Sequence, residues 1–245
     1  MIKYILILCA LASGVFGAVT IGGKASLNGK ASLATEASGG GGGFSDDFNR
    51  ADGDSLGGNW TEIGDVDIAS NAANSPQTFD NNLRGAAYTA TSCGSVNQYV
   101  KVTLTSNNSG GNVAPGVLLR YTDASSPCYN VRFAIASDIA RWNRLATPTP
   151  TGTDAAVDND QLTVAPGDVV GITIGGTGAS TVVRIWVNPT GLPSAVDNWD
   201  GDTTPSLSLT VDPGTPVDTG NYVGICGLGS LGVLEWDDFY GGGLP

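Results

Sequence analysis

The chain has no histidine and only three glutamates, Glu36, Glu62 and Glu235. Without imidazole there is no Ser-His or Cys-His nucleophile system and no histidine ligand for a zinc site. A paired-glutamate glycosidase would have to draw its acid and its nucleophile from Glu62 and Glu235, because Glu36 lies in a low-complexity stretch. Basic residues are also scarce. From Phe44 onward there are eight of them against 22 acidic ones. A surface this acidic repels phosphate backbones, so nucleic acid is not an expected partner. No Gly-x-Ser-x-Gly elbow is present, since Gly229-Ser230-Leu231-Gly232 misses the spacing. No glycine-rich stretch matches a phosphate loop. The absence of long helical periods points the same way as the abundance of Gly, Ser, Thr, Asn, Val and Asp: strands joined by many turns.

The first 17 residues read as a secretory signal peptide. Lys3 supplies the positive end, and Ile5 to Phe16 form an apolar run too short to span a bilayer. The expected mature chain is secreted, with no membrane insertion after cleavage. Residues 18–43 read as a flexible tail or linker. It contains Gly23-Lys24-Ala25-Ser26-Leu27, then Gly29-Lys30-Ala31-Ser32-Leu33, and ends in five consecutive glycines. This tail is expected to act as a spacer. The alternative is self-association through residues 18–43, by adding a strand to a neighbour's sheet. An exported chain can form disulfides. Cys93, Cys128 and Cys226 leave one thiol over. Cys93 with Cys128 is the expected pair and Cys226 the expected buried thiol, an assignment that spacing alone leaves open.

From Phe44 short apolar runs alternate with Gly, Pro, Asn and Asp clusters, and many runs show a period of two, as in Tyr99-Val100-Lys101-Val102-Thr103-Leu104. Strands are expected at 46–48, 60–63, 86–91, 99–105, 116–121, 129–135, 140–145, 161–164, 169–174, 181–187, 207–211, 221–226 and 233–240. The expected fold is all-β, a two-layer antiparallel β-sandwich of the jelly-roll type over residues 44–245.

Three passages carry a resemblance. They are Phe48-Asn49-Arg50-Ala51-Asp52-Gly53 with Leu56-Gly57 and Trp60; Gly167 to Ile174 followed by Val182 to Asn188; and Asn221 to Ile225 followed by Glu235-Trp236-Asp237-Asp238-Phe239-Tyr240. In this order they resemble the concanavalin A-like lectin/glucanase superfamily, particularly the laminin-G-like jelly rolls of bacterial surface proteins. In such a fold the first and last strands pair. Asp46-Asp47-Phe48 and Asp237-Asp238-Phe239 would then each send a Phe into the core and an Asp outward, a structural role rather than a catalytic one. The superfamily's glucanases look like Glu-x-Asp-x-x-Glu on one strand, and Glu235-Trp236-Asp237-Asp238 lacks the second glutamate.

Asp197-Asn198-Trp199-Asp200-Gly201-Asp202 gathers oxygen donors on one loop, and Asp197, Asp200 and Asp202 are the candidate metal ligands. The resemblance implies a structural Ca2+ at a loop rim. Trp199, as an exposed indole beside Asn198, is the first candidate sugar platform, and Trp142 with Asn143 is the second. Trp60, Trp186 and Trp236 are expected in the core. The leading expectation is a secreted noncatalytic carbohydrate-binding or adhesion module, with a glycan or cell-surface polysaccharide as partner. One alternative is a structural subunit of an extracellular or viral assembly that uses the tail for contacts. The other is a glycoside hydrolase with Asp/Glu catalysis.

Overall fold

The structure is a computed structural model and describes residues 43–75, 83–105, 113–149, 154–210, 216–229 and 233–245. The signal and nearly all of the tail, with its expected self-association, lie outside the described residues, as does the Ser230 passage. The strands in chain order are β1 (Phe44–Asp46), β2 (Trp60–Ile63), β3 (Asp67–Ala69), β4 (Ala72–Ser75), β5 (Leu83–Tyr88), β6 (Gln98–Leu104), β7 (Val113–Tyr121), β8 (Cys128–Ala134) and β9 (Ile139–Leu145). They continue with β10 (Asp154–Gln161), β11 (Val169–Gly175), β12 (Val182–Val187), β13 (Pro193–Ala195), β14 (Asn198–Trp199), β15 (Leu207–Thr210), β16 (Tyr222–Gly229) and β17 (Leu234–Gly243). Among the described residues the only helical turns are 3₁₀ turns at Ile135–Ser137 and Gly178–Ser180.

The strands form two large antiparallel sheets. The first runs β15-β12-β11-β6-β17-β4-β3, with β1 also paired to β17; the second runs β10-β9-β8-β7-β16-β5-β2. The two pack into a sandwich, the expected jelly roll. The period of two decides which residues meet between the layers. Val100, Val102 and Leu104 on β6, Val170, Ile172 and Ile174 on β11, and Val183 and Ile185 on β12 face Val117, Leu119, Tyr129, Val131, Phe133, Val223 and Ile225 of the other sheet in one buried cluster.

The paired ends of the domain close one flank of this core. Phe44 pairs with Gly241 and Asp46 with Phe239 across β1 and β17. Phe48 and Phe239 are both fully buried. The Asp46 carboxylate accepts the Phe48 amide at 2.9 Å and the Trp60 indole N–H at 2.8 Å, and it takes both Arg50 guanidinium nitrogens at 2.7 and 3.2 Å. Asp46 is therefore a structural anion, as its place beside a core Phe implied.

Some expectations need correction. The Cys93–Cys128 disulfide is not formed: all three cysteines are buried thiols. Cys93 belongs to the central core, whereas Cys128 packs with Cys226, Leu118 and Leu145 on the other side of its sheet. Residues 162–164 are not a strand; the strand is the preceding segment, β10.

Candidate functional site

An accessible site needs an open face, and the two outer faces differ. On the second sheet, Ile63, Leu83, Leu118, Cys128, Leu145 and Cys226 form a second buried cluster. Asn143 donates its side-chain amide to Asn130 Oδ1 at 2.9 Å, and both residues are buried. Asn143 is thus spent within the sheet. Trp142 points the other way, into the central core, at 0% exposure and edge-on to Tyr129 at 5.1 Å between ring centroids. This pair is not an exposed sugar platform, because the alternation of β9 puts the indole inside.

The outer face of the first sheet is half covered. The β13–β14 hairpin folds over β11 and β12 and buries Trp199 (1% exposed) with Tyr99, Trp186 and Leu244. Two glycines make room for it. A Cβ at Gly171 would stand 2.6 Å from the Trp199 ring, and one at Gly175 would stand 2.7 Å from Val196. Thr173 Oγ1 donates to the Val196 carbonyl at 2.6 Å, and the Trp199 indole N–H donates to Thr190 O at 2.9 Å. Trp199 is therefore an anchor for this cap rather than the exposed platform expected.

The neighbouring oxygens serve the turn. Asn198 Oδ1 accepts the Gly201 amide at 2.7 Å. Asp202 Oδ1 accepts the hydroxyl and amide of Thr204 at 2.6 and 2.8 Å, and these bonds hold its carboxyl below the ordinary aspartate range. Asp200 Oδ2 accepts the Thr190 hydroxyl at 3.3 Å. Asp197 is exposed, and the structure does not bring it together with Asp200 and Asp202: among the described residues no three His, Cys, Asp or Glu side chains are grouped to hold a metal.

The other half of this face is open and polar. Its rows follow from the register: Asp67 beside Asn74 beside Glu235, then Asp237 beside Thr103, then Ser45 beside Tyr240 beside Lys101. A β-bulge between Asp237 and Tyr240 creates this surface. Asp238 sits at φ 48°, a left-handed conformation uncommon for a residue with a Cβ. The extra residue resets the alternation. Trp236 and Phe239 both enter the core, while Asp237 and Tyr240 both face outward.

Tyr240 is 37% exposed, and it is the exposed aromatic among the described residues. Lys101 Nζ lies 5.9 Å from its ring centroid and donates to Gly191 O of the cap at 2.9 Å. Burial lowers the Lys101 pKa from the ordinary lysine value, and the charges of Asp200 and Asp238 oppose that. Burial pushes the Asp237 carboxyl up, and the neighbouring charges of Asp238, Asp47 and Glu235 add to the rise. Sequence reasoning passed over Tyr240 and Lys101 as strand residues. One signal was available: Trp236 and Phe239 are three apart in one strand, which a regular period of two cannot bury together. Glu62 is elsewhere and is committed, its Oε1 accepting Ser55 Oγ at 2.8 Å and the Leu56 amide at 2.9 Å.

No protein-family model matches the chain, and no match was found among curated proteins. Solved structures do resemble it. Carbohydrate-binding module CBM66 from Bacillus subtilis aligns over 74% of this chain and 93% of its own at 8% identity, with a TM-score of 0.47. A β-1,3-glucanase from Mycobacterium marinum aligns over 81% of this chain and 97% of its own at 11% identity, with a TM-score of 0.48. Arcelin-5, a lectin-like defence protein from Phaseolus vulgaris, aligns over 82% and 97% at 10% identity, with a TM-score of 0.47. At these identities the likeness concerns the fold alone.

Proposed function

We propose that the chain is a secreted carbohydrate-binding module that holds its glycan on the open half of the first sheet. The observation that carries this reading is Tyr240, an exposed ring turned outward by a strained bulge, with Ser45 and Lys101 beside it and Asp237 and Thr103 in the next row. A tyrosine ring offers an apolar face to a sugar's C–H surface, and the surrounding donors and acceptors suit its hydroxyls. The apolar N-terminal run supports export. On a glycan array the mature chain binds at least one glycan, and Tyr240→Ala loses that signal while melting at the same temperature. A Tyr240→Ala variant that binds as the unaltered chain does would rule out this site.

One observation favours a second reading. Glu235 and Asp237 lie two apart on one strand and share the outer face, and the Asp237 carboxyl is raised. Paired carboxyl groups, one of them raised by burial, are the equipment of a glycoside hydrolase. Release of reducing sugar from the bound glycan, lost in Glu235→Gln, would select this reading over binding alone.

A further inference from the structure

We propose that the β13–β14 cap is one wall of the Tyr240 site and that, through Lys101, it makes the site select uncharged glycans over anionic ones. The inference rests on the glycan-binding reading above. The cap is a fitted part. β11 is otherwise Val-Val-Gly-Ile-Thr-Ile-Gly, and its two glycines lie where Trp199 and Val196 are seated. Any side chain at Gly171 pushes into the Trp199 ring. With Trp199 seated, the Thr190–Gly191 turn is fixed by the indole's bond to Thr190 O, and the Gly191 carbonyl takes the Lys101 ammonium. Lys101 is the register partner of Tyr240 and reaches over its ring. The cap thus sets where the site's cation stands.

The chemistry of the ligand follows from what surrounds that cation. An ammonium carries three N–H donors, so the bond to Gly191 leaves two for a ligand. Glu235 and Asp237 share the outward side of β17 with Tyr240, and the Asp200 carboxylate sits against Gly191, whose carbonyl holds Lys101. Sugar hydroxyls both donate and accept, so one ring can bridge the ammonium and these carboxylates. A uronate or sulfate ester brings a second anion into a field with one ammonium and several carboxylates, and like charges at this range repel.

The test uses the mature chain in 0.15 M salt with a β-glucan, a mannan and an unsubstituted xylan, against polygalacturonate and dextran sulfate, read by titration calorimetry. The chain binds at least one uncharged polymer and neither anionic one. Lys101→Met and Gly171→Ala each weaken that binding by about tenfold, the scale of one charged hydrogen bond, and Lys101→Arg restores most of it. If Gly171→Ala does not fold, the Lys101 pair decides alone. Binding to an anionic polymer alone overturns the inference. So does wild-type affinity in both Lys101→Met and Gly171→Ala while Tyr240→Ala is inactive; the glycan-binding reading then survives. Binding to none of the polymers overturns both.

Discussion

Arg120 is fully buried, yet main-chain carbonyls hold it more closely than any carboxylate does. Its guanidinium donates to Val96 O, Val217 O and Gly176 O, and the nearest Asp218 oxygen stands off at 3.7 Å. Those carbonyls belong to separate connecting segments, so one side chain ties several loops to the end of β7. Replacing it by Met keeps the stem but leaves buried acceptors without a donor, which costs on the order of 3 kcal/mol. Urea unfolding of Arg120→Met shows a lower midpoint at unchanged slope; a loss well under 1 kcal/mol would contradict the assignment. Asp237 gives a prediction of opposite character. Its carboxyl is raised on folding, so the folded state binds the proton more tightly than the unfolded one. The native state is therefore favoured below the ordinary aspartate value of 3.8, and that advantage fades as pH rises through the raised value. Asp237→Asn melts higher than the unaltered chain at pH 7, and the difference shrinks as pH falls through the raised value towards 3.8. A constant difference from pH 3 to 7 would show that ionisation is not the cause.

At the scale of the element, the bulge in β17 does the most to shape the surface. Asp238 at φ 48° is tolerable for Asp, free for Gly and severe for a β-branched residue. Thermal stability should therefore rank Gly at least level with Asp, and both above Val, with a spread on the order of 2 kcal/mol between the extremes. Equal stability for Asp238→Gly and Asp238→Val would mean that the left-handed turn is not retained in solution. The sequence was readable where a strand lies between two neighbours, as for β6 and β11. At the edges it was readable for β2 and β15, whose runs are apolar enough to stand out, but not for β10 or for the β3–β4 hairpin. β10 (Asp-Ala-Ala-Val-Asp-Asn-Asp-Gln) pairs on one side only, so its composition carries turn-like residues that an edge strand tolerates. β3 and β4 are short and join through Ser70-Asn71, both at positive φ, a two-residue hairpin turn without the usual glycine. The site was hidden for a related reason. Exposure is a property of what covers a face. Trp199 and Tyr240 are both aromatic residues beside aspartates, and only the cap's position makes the first an anchor and the second a surface.

At the scale of the molecule, the sandwich leaves few ways to meet a ligand. All of its tryptophans, Trp60, Trp142, Trp186, Trp199 and Trp236, are buried. The outer cluster of the second sheet is buried as well, and the cap takes half of the first sheet. Among the described residues what remains is a polar shelf with one exposed tyrosine, on an acidic domain that has no histidine. The most direct test follows amide chemical shifts of the mature chain during titration with short oligosaccharides from a polymer it binds. The account predicts that the shifts concentrate on Asn74, Lys101, Thr103, Asp237 and Tyr240, with β8 and β9 unmoved. Shifts centred on Asn130, Arg132, Arg141 and Asn143 of the second sheet would contradict it.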